Sequence, residues 1–283
     1  MEFLRPATWD EALAAKAEHP DAMPIAGGTD VMVELNFDRR RPPAILDLTR
    51  IGPLADWAPD NGALRVGAGV TYKRIIDELG DRLPGLAMAS RTVGSPQIRN
   101  RGTVGGNLGS ASPAGDAHPA LLAGGATVEV ASVRGTRRIA IADFFVGPKR
   151  SVLAPDELIA AYVVPPAEAP QQFAKIGTRN AMVIAVCSFG LALHPAERRA
   201  GTGIGSAAPT PRRALDAEAF SAELPWDSNA SIPDSQLRRF GELVAAAASP
   251  IDDVRGRAAY RRHALAVLAR RTLSWAWEEY RCA

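Results

Sequence analysis

Apolar and polar positions along the chain change period several times, and each change marks an element. Thr8-Trp9-Asp10-Glu11 is a capping box that opens a helix through about Glu18, ended near His19-Pro20. Ile25 closes a short apolar run, Val31 to Leu35 is helical or irregular, and Ala44 to Leu48 reads as a strand. Leu64 to Gly69 is a second strand ending in glycines. Thr71 then caps a helix whose Ile75, Ile76 and Leu79 share one face before Gly80 stops it. Alternation over Thr127 to Val133 and Arg137 to Ile141 predicts a hairpin turning at Arg134-Gly135. The unbroken apolar run Leu158 to Val164, closed by Pro165-Pro166, predicts a buried strand.

Ala167-Glu168-Ala169-Pro170 is the clearest linker. Beyond it, Phe173 to Ile176, Val183 to Leu193 and Thr202 to Gly205 read as three strands. Ser235 to Ala248 and Ala258 to about Tyr280 read as helices. The chain is therefore an α+β protein divided at the linker. Residues 1–170 form one domain of two α/β lobes, about 1–55 and 56–170, and residues 171–283 form a second domain, a small antiparallel sheet with helices on one face. No internal repeat and no low-complexity tract interrupts this order.

Two glycine-rich segments stand apart from the periodic ones. The first is Ala26-Gly27-Gly28-Thr29-Asp30. The second is Thr103-Val104-Gly105-Gly106-Asn107, inside the longer stretch Ser95 to Leu122. Paired glycines with a hydroxyl or amide side chain give loops with little bulk and many free N–H groups, able to close around a diphosphate. A single such loop is most often a tight turn between strands, but two in one half of a chain indicate a split site for a long dianionic ligand. Asp116, thirteen positions after Thr103, either caps the short helix that follows it or accepts from a ribose or adenine donor.

Composition narrows the function. With 283 residues and 47% hydrophobic content the chain buries a sizeable core. Its 33 basic and 31 acidic residues leave a formal charge of +2, so no general basic field argues for nucleic acid or a membrane surface. Cys187 and Cys282, the two cysteines, are far apart and match no metal spacing. Neither a disulfide framework nor an iron–sulfur cluster is encoded here, and Cys187 reads as a core thiol. The N-terminus carries no signal-peptide pattern and no apolar run approaches 18 residues, so the compartment expected is the cytoplasm. Gly203-Ile204-Gly205-Ser206-Ala207-Ala208 matches a dinucleotide pattern, but Pro209-Thr210-Pro211 follows where a helix must open. His118 and His263 lack partners at ligand spacing and read as structural. Arg261, Arg262, Arg270 and Arg271 read as a solvated face of the last helix, with Trp275 and Trp277 nearby.

Ala26-Gly27-Gly28-Thr29-Asp30 and Thr103-Val104-Gly105-Gly106-Asn107 with Asp116 resemble the two FAD loops of the flavoprotein (medium) subunits of molybdenum hydroxylases, the group of bacterial xanthine dehydrogenases and carbon monoxide dehydrogenase. Lys175 to Ala181, Gly205 to Pro211, and Pro250 to Gly256 with Tyr260-Arg261-Arg262-His263 are similar to the C-terminal domain of the same family. The resemblance implies a vanillyl-alcohol-oxidase-type FAD-binding fold whose loops hold the pyrophosphate. It implies that the backbone of Ile159 meets the flavin ring and that Lys175 approaches it. A lysine near the pyrimidine end stabilises negative charge on a reduced ring. Where several members carry an acid and an aromatic or apolar residue beyond the arginine matching Arg179, this chain has Met182-Val183-Ile184, which leaves the residue stacking on the ring unassigned.

The function implied is electron transfer. Substrate is oxidised at a molybdopterin-type molybdenum cofactor on a large chain, and electrons cross [2Fe–2S] clusters of a small chain to FAD here. They then leave to NAD+ or oxygen, within a dimer of heterotrimers. No side chain of this subunit need act as acid or base, and none binds metal. Two other readings are a stand-alone FAD oxidoreductase of the same fold, which a substrate pocket without partner chains would mark, and a flavin-free docking subunit, against which the intact glycines argue.

Overall fold

The computed structural model describes every residue of the chain except Asn229. Its first unit is a parallel three-stranded sheet in which Ala44–Asp47 lies between Glu2–Leu4 and Met23–Ile25. The central strand is buried along its whole length, while both edge strands are partly exposed. Helix Trp9–Glu18 starts at a formed capping box: Thr8 Oγ1 accepts from the Glu11 amide at 3.2 Å, and Glu11 Oε2 accepts from the Thr8 amide at 3.3 Å.

A five-stranded antiparallel sheet follows, in the order Trp57–Asp60, Ala63–Gly67, Leu158–Val164, Thr127–Ser132, Gly135–Ala140. Leu158–Val164 enters last in sequence yet sits in the centre, which is why it reads as an unbroken apolar run rather than an alternating one. Its register against Thr127–Ser132 shifts between Ile159 and Ala161, a bulge that re-aims the strand beside Ile159. Five short helices, Tyr72–Glu78, Pro84–Arg91, Pro96–Arg101, Val104–Ser110 and Ala117–Ala123, lie in sequence between the second and fourth strands of that order. Thr71 caps the first of them through Arg74, and Ile75 and Leu79 are fully buried. The capping hydroxyls of Ser95 and Thr103 start the third and fourth.

The C-terminal part is an antiparallel sheet of Gln171–Ile176, Cys187–His194 and Arg199–Gly205. Helices Leu215–Phe220, Asp234–Ala247 and Ala258–Cys282 build a second core on it around Phe189, Phe240, Leu265 and Trp277. Val183 to Val186, read as strand from their apolar character, lie ahead of the strand that begins at Cys187. Cys187 is buried in this core, as its neighbours predict.

The sheet's other face meets the first part of the chain through glycine. A Cβ at Gly203 would lie 2.1 Å from the Pro119 carbonyl oxygen, one at Gly190 2.5 Å from it, and one at Gly201 2.3 Å from that of Ala123. The backbone of helix Ala117–Ala123 therefore packs directly on the sheet. This is what the glycines around Gly203 are for, and it fixes Asp116, just ahead of that helix, against Lys175 of the neighbouring strand.

Arg261 departs from the solvated face read for it. It is buried, donates to the Ser206 carbonyl oxygen at 2.6 Å and pairs with Asp253. Trp277 is buried as well, while Trp275 is half exposed.

Candidate functional site

One cavity of about 960 Å³ runs between these units, at the upper end of the range for small-molecule and cofactor sites. Its wall includes Ala26 to Asp30, Thr103, Gly105, Gly106, Asn107, Asp116 and Ile159, together with Met182, Val183 and Ile184 at an exposed rim. Val104 and Lys175 lie outside the wall. Val104 is buried in the core beneath the second loop, and Lys175 stands behind Asp116.

The two glycine segments touch. A Cβ at Gly27 would lie 1.9 Å from the Arg101 carbonyl oxygen, so only glycine permits the first loop to rest on the backbone leading to the second. Gly105 packs in the same way on Ala68, whose Cβ lies 2.5 Å from the position a side chain would take. Gly28 supplies a φ of +75°. Gly106 differs from all three, because a Cβ there meets only Thr103 Oγ1, at 3.1 Å, and otherwise projects into open space.

The second segment, read as a loop, is a cap and the first turn of a helix. Thr103 Oγ1 accepts from the Gly106 amide at 2.8 Å. Among the described residues the amides of Gly27, Gly28, Thr29 and Gly105 donate to no acceptor, which gives the cavity a set of free N–H donors. Donors of this kind, in a wall that glycine keeps thin, fit a diphosphate and need no side-chain cation. Asn107 ties the loop to the next element, its Oδ1 accepting from the Ala117 amide at 3.4 Å.

Asp116 makes no capping bond to the helix it precedes. Instead Lys175 Nζ lies 2.6 Å from Asp116 Oδ2 and donates also to the Thr92 carbonyl oxygen at 3.3 Å. Burial pushes the Asp116 carboxyl up to about 6 against the opposing pull of Lys175, and Asp116 Oδ1 is buried without a hydrogen-bond partner. A buried carboxylate oxygen with no donor, on the wall of a cavity, fits a hydroxyl or N–H of a bound ligand. His118 packs behind the same turn. Its Nε2–H donates to the Asn107 carbonyl oxygen at 3.2 Å, Nδ1 has no partner, and burial pulls its pKa down to about 4. It is a neutral structural residue.

Tyr72 and Lys16 also line the cavity, and neither carries a motif that marks it in the sequence. Burial, with Asp116 and Asp30 nearby, raises the Tyr72 pKa well above the ordinary phenol value, which keeps its hydroxyl a donor. No group of three or more His, Cys, Asp or Glu side chains able to hold a metal occurs among the described residues, and no helix of the described residues is long and apolar enough to cross a membrane.

An extended cavity flanked by two glycine segments with free amides defines a protein that binds a dinucleotide-sized cofactor. Residues 1–167 match the FAD-binding domain family found in molybdopterin dehydrogenases, and residues 172–276 match the carbon monoxide dehydrogenase flavoprotein C-terminal domain family. The chain is 31% identical over 287 residues to a putative xanthine dehydrogenase FAD-binding subunit of Escherichia coli, covering 96% of this chain and 94% of that one. It is 35% identical over 202 residues to the nicotinate dehydrogenase FAD-subunit of Eubacterium barkeri, 68% of each chain. Among solved structures, carbon monoxide dehydrogenase from Hydrogenophaga pseudoflava superposes with a TM-score of 0.90 at 25% identity, covering 100% of this chain and 98% of that one. The chain belongs to the family of FAD-binding medium subunits of molybdenum hydroxylases, oxidoreductases of the xanthine dehydrogenase type.

Proposed function

We propose that this chain is the electron-transfer subunit of a molybdenum-containing dehydrogenase and that it holds FAD in the cavity between its two glycine segments. The observation that carries this reading is the set of acceptor-free amides at Gly27, Gly28, Thr29 and Gly105, brought together by glycine contacts. Ala26 to Asp30 and Thr103 to Asn107 receive the diphosphate. Val104 acts from beneath by seating the second segment. Asp116 accepts from the ligand through Oδ1, the Ile159 backbone meets the ring beside the strand bulge, and Lys175 acts by fixing Asp116. When bound, FAD takes up electrons singly and releases them in pairs. This chain's own share is to bind, orient and shield. The apolar rim Met182 to Ile184 limits water at one end of the cavity, and no side chain acts as acid or base.

The fold reading that goes with this is a vanillyl-alcohol-oxidase-type domain of two lobes over residues 1–170, followed by a C-terminal domain over residues 171–283. The partners are a large chain with the molybdenum cofactor and a small chain with [2Fe–2S] clusters, as a dimer of heterotrimers in the cytoplasm, with NAD+ or oxygen as acceptor. Names such as "medium chain" for the carbon monoxide dehydrogenase relative of Afipia carboxidovorans support a multi-subunit assembly. Native mass spectrometry of the tagged chain from its own host tests this. A heterotrimer or its dimer carrying FAD and iron–sulfur mass is the expected result. A lone chain with FAD would instead make it a stand-alone flavoenzyme.

A further inference from the structure

Lys16 is the charged residue on the core-facing side of the first helix, where Ala12, Leu13 and Lys16 are buried. Its ammonium donates to the carbonyl oxygens of Pro20 at 2.6 Å and Ala22 at 2.7 Å, in the turn leading to strand Met23–Ile25. An ammonium carries three N–H donors, and these carbonyls take two. Among the described residues no carboxylate forms a salt bridge with it. Asp21 and Asp156 attract it only from farther away, and burial holds its pKa below the ordinary lysine value. A cation buried among neutral acceptors is costly to keep, and a lysine that served only to cap the helix C-terminus would do so from the surface.

Lys16 also forms part of the cavity wall, with Pro20, Met23, Leu48 and Thr49. Contacts behind that wall follow one another in series. Lys16 holds Ala22, and the strand after it runs into Ala26 to Asp30. Gly27 rests on Arg101, Asn107 holds Ala117, and Asp116 meets Lys175. A dinucleotide with its diphosphate at the glycine segments extends to both sides of them, and Lys16 lines the cavity on the side of the strand that enters the first segment. We propose that the third N–H of Lys16 donates to an acceptor on the adenosine half of FAD, so that Lys16 is a binding residue for that half. This rests on the flavin reading above and adds the group that recognises the nucleotide end.

The test uses the full chain stripped of flavin, titrated with FAD by fluorescence quenching and with ADP as competitor. Lys16→Met keeps the length of the side chain and removes every donor. Both FAD and ADP bind it at least about tenfold more weakly than wild type, with an unchanged circular dichroism spectrum. A folded variant that binds FAD as wild type does, or that loses FAD affinity with no change for ADP, overturns the assignment. Wild type that binds no FAD overturns the flavin reading instead. Should Lys16→Met not fold, wild type labelled at lysine Cε carries only Lys16, Lys73, Lys149 and Lys175. The Lys16 resonance, assigned through arginine replacement of the other three, shifts on adding ADP while that of Lys73 stays. A Lys16 resonance that ADP does not move overturns the proposal.

Discussion

Lys175 Nζ and Asp116 Oδ2 lie 2.6 Å apart, with side chains only 7% and 11% exposed, and they join the edge strand of the C-terminal sheet to the turn that lines the cavity. The pair is held in register by glycine, since helix Ala117–Ala123 can approach the sheet only where Gly190 and Gly203 leave room for the Pro119 carbonyl. A buried pair of this kind is worth little against apolar replacements, but removing one partner strands the other. Lys175→Met, which leaves the Asp116 carboxylate buried without its cation, therefore lowers unfolding free energy by about 3 kcal/mol near neutral pH, and Lys175→Met with Asp116→Asn returns it to within about 1 kcal/mol of wild type. Urea denaturation of the two single variants and the double variant measures the coupling.

The same turn has an opposed pair of titrations. Asp116 has a folded pKa of about 6, above its ordinary 3.8, so the folded state binds the extra proton and this contribution to stability falls as pH rises from about 4 to about 6. His118 has a folded pKa of about 4, below its ordinary 6.5. The unfolded state binds the extra proton, and this contribution falls as pH drops from 6.5 towards 4. The two slopes oppose over the shared window. Asp116→Asn leaves the histidine contribution alone and makes stability fall more steeply on acidification, whereas His118→Gln leaves the carboxyl contribution and reverses the sign. Denaturation midpoints between pH 5 and 7 distinguish them.

Glycines of the two loops serve different ends, and alanine separates them. Gly27→Ala and Gly105→Ala drive a methyl into the backbone of Arg101 and Ala68 and destabilise by about 1–3 kcal/mol, the range for overpacking. Gly106→Ala leaves the fold intact, since its methyl meets only Thr103 Oγ1 at 3.1 Å. Thermal melting of the three variants without flavin orders them.

Gly203→Val tests the contact between the two parts of the chain. Its Cβ would lie 2.1 Å from the Pro119 oxygen, so the sheet must move off the helix. Limited proteolysis detects this as faster cleavage in the linker Ala167 to Pro170 than in wild type, where the Ala167 amide donates to the Arg82 carbonyl oxygen at 2.8 Å.

Much of this was legible in the chain because local rules suffice for it. The Thr8 capping box, the buried run Leu158 to Val164 and the hairpin at Arg134-Gly135 each follow from a few adjacent residues. What local rules miss is contact between distant segments. Asp116 reads equally as a helix cap until Lys175, 59 positions later, is seen to pair with it. Arg261 reads as solvated because its acceptor is the backbone of Ser206, which no side-chain pattern announces. The glycines around Gly203 resemble a nucleotide motif, yet they admit a helix from the other part of the chain. Lys16 and Tyr72 carry no motif at all; only the cavity singles them out.

Titration of the flavin-free full chain with FAD, carried out in parallel on wild type and Gly106→Val, tests whether the two glycine segments hold the cofactor. The valine projects into the space that the cofactor is assigned. One FAD binds per wild-type chain, and binding is at least about a hundredfold weaker in a Gly106→Val protein that melts as wild type does. Full FAD occupancy in folded Gly106→Val, or no FAD binding by wild type, would contradict this placement of the cofactor.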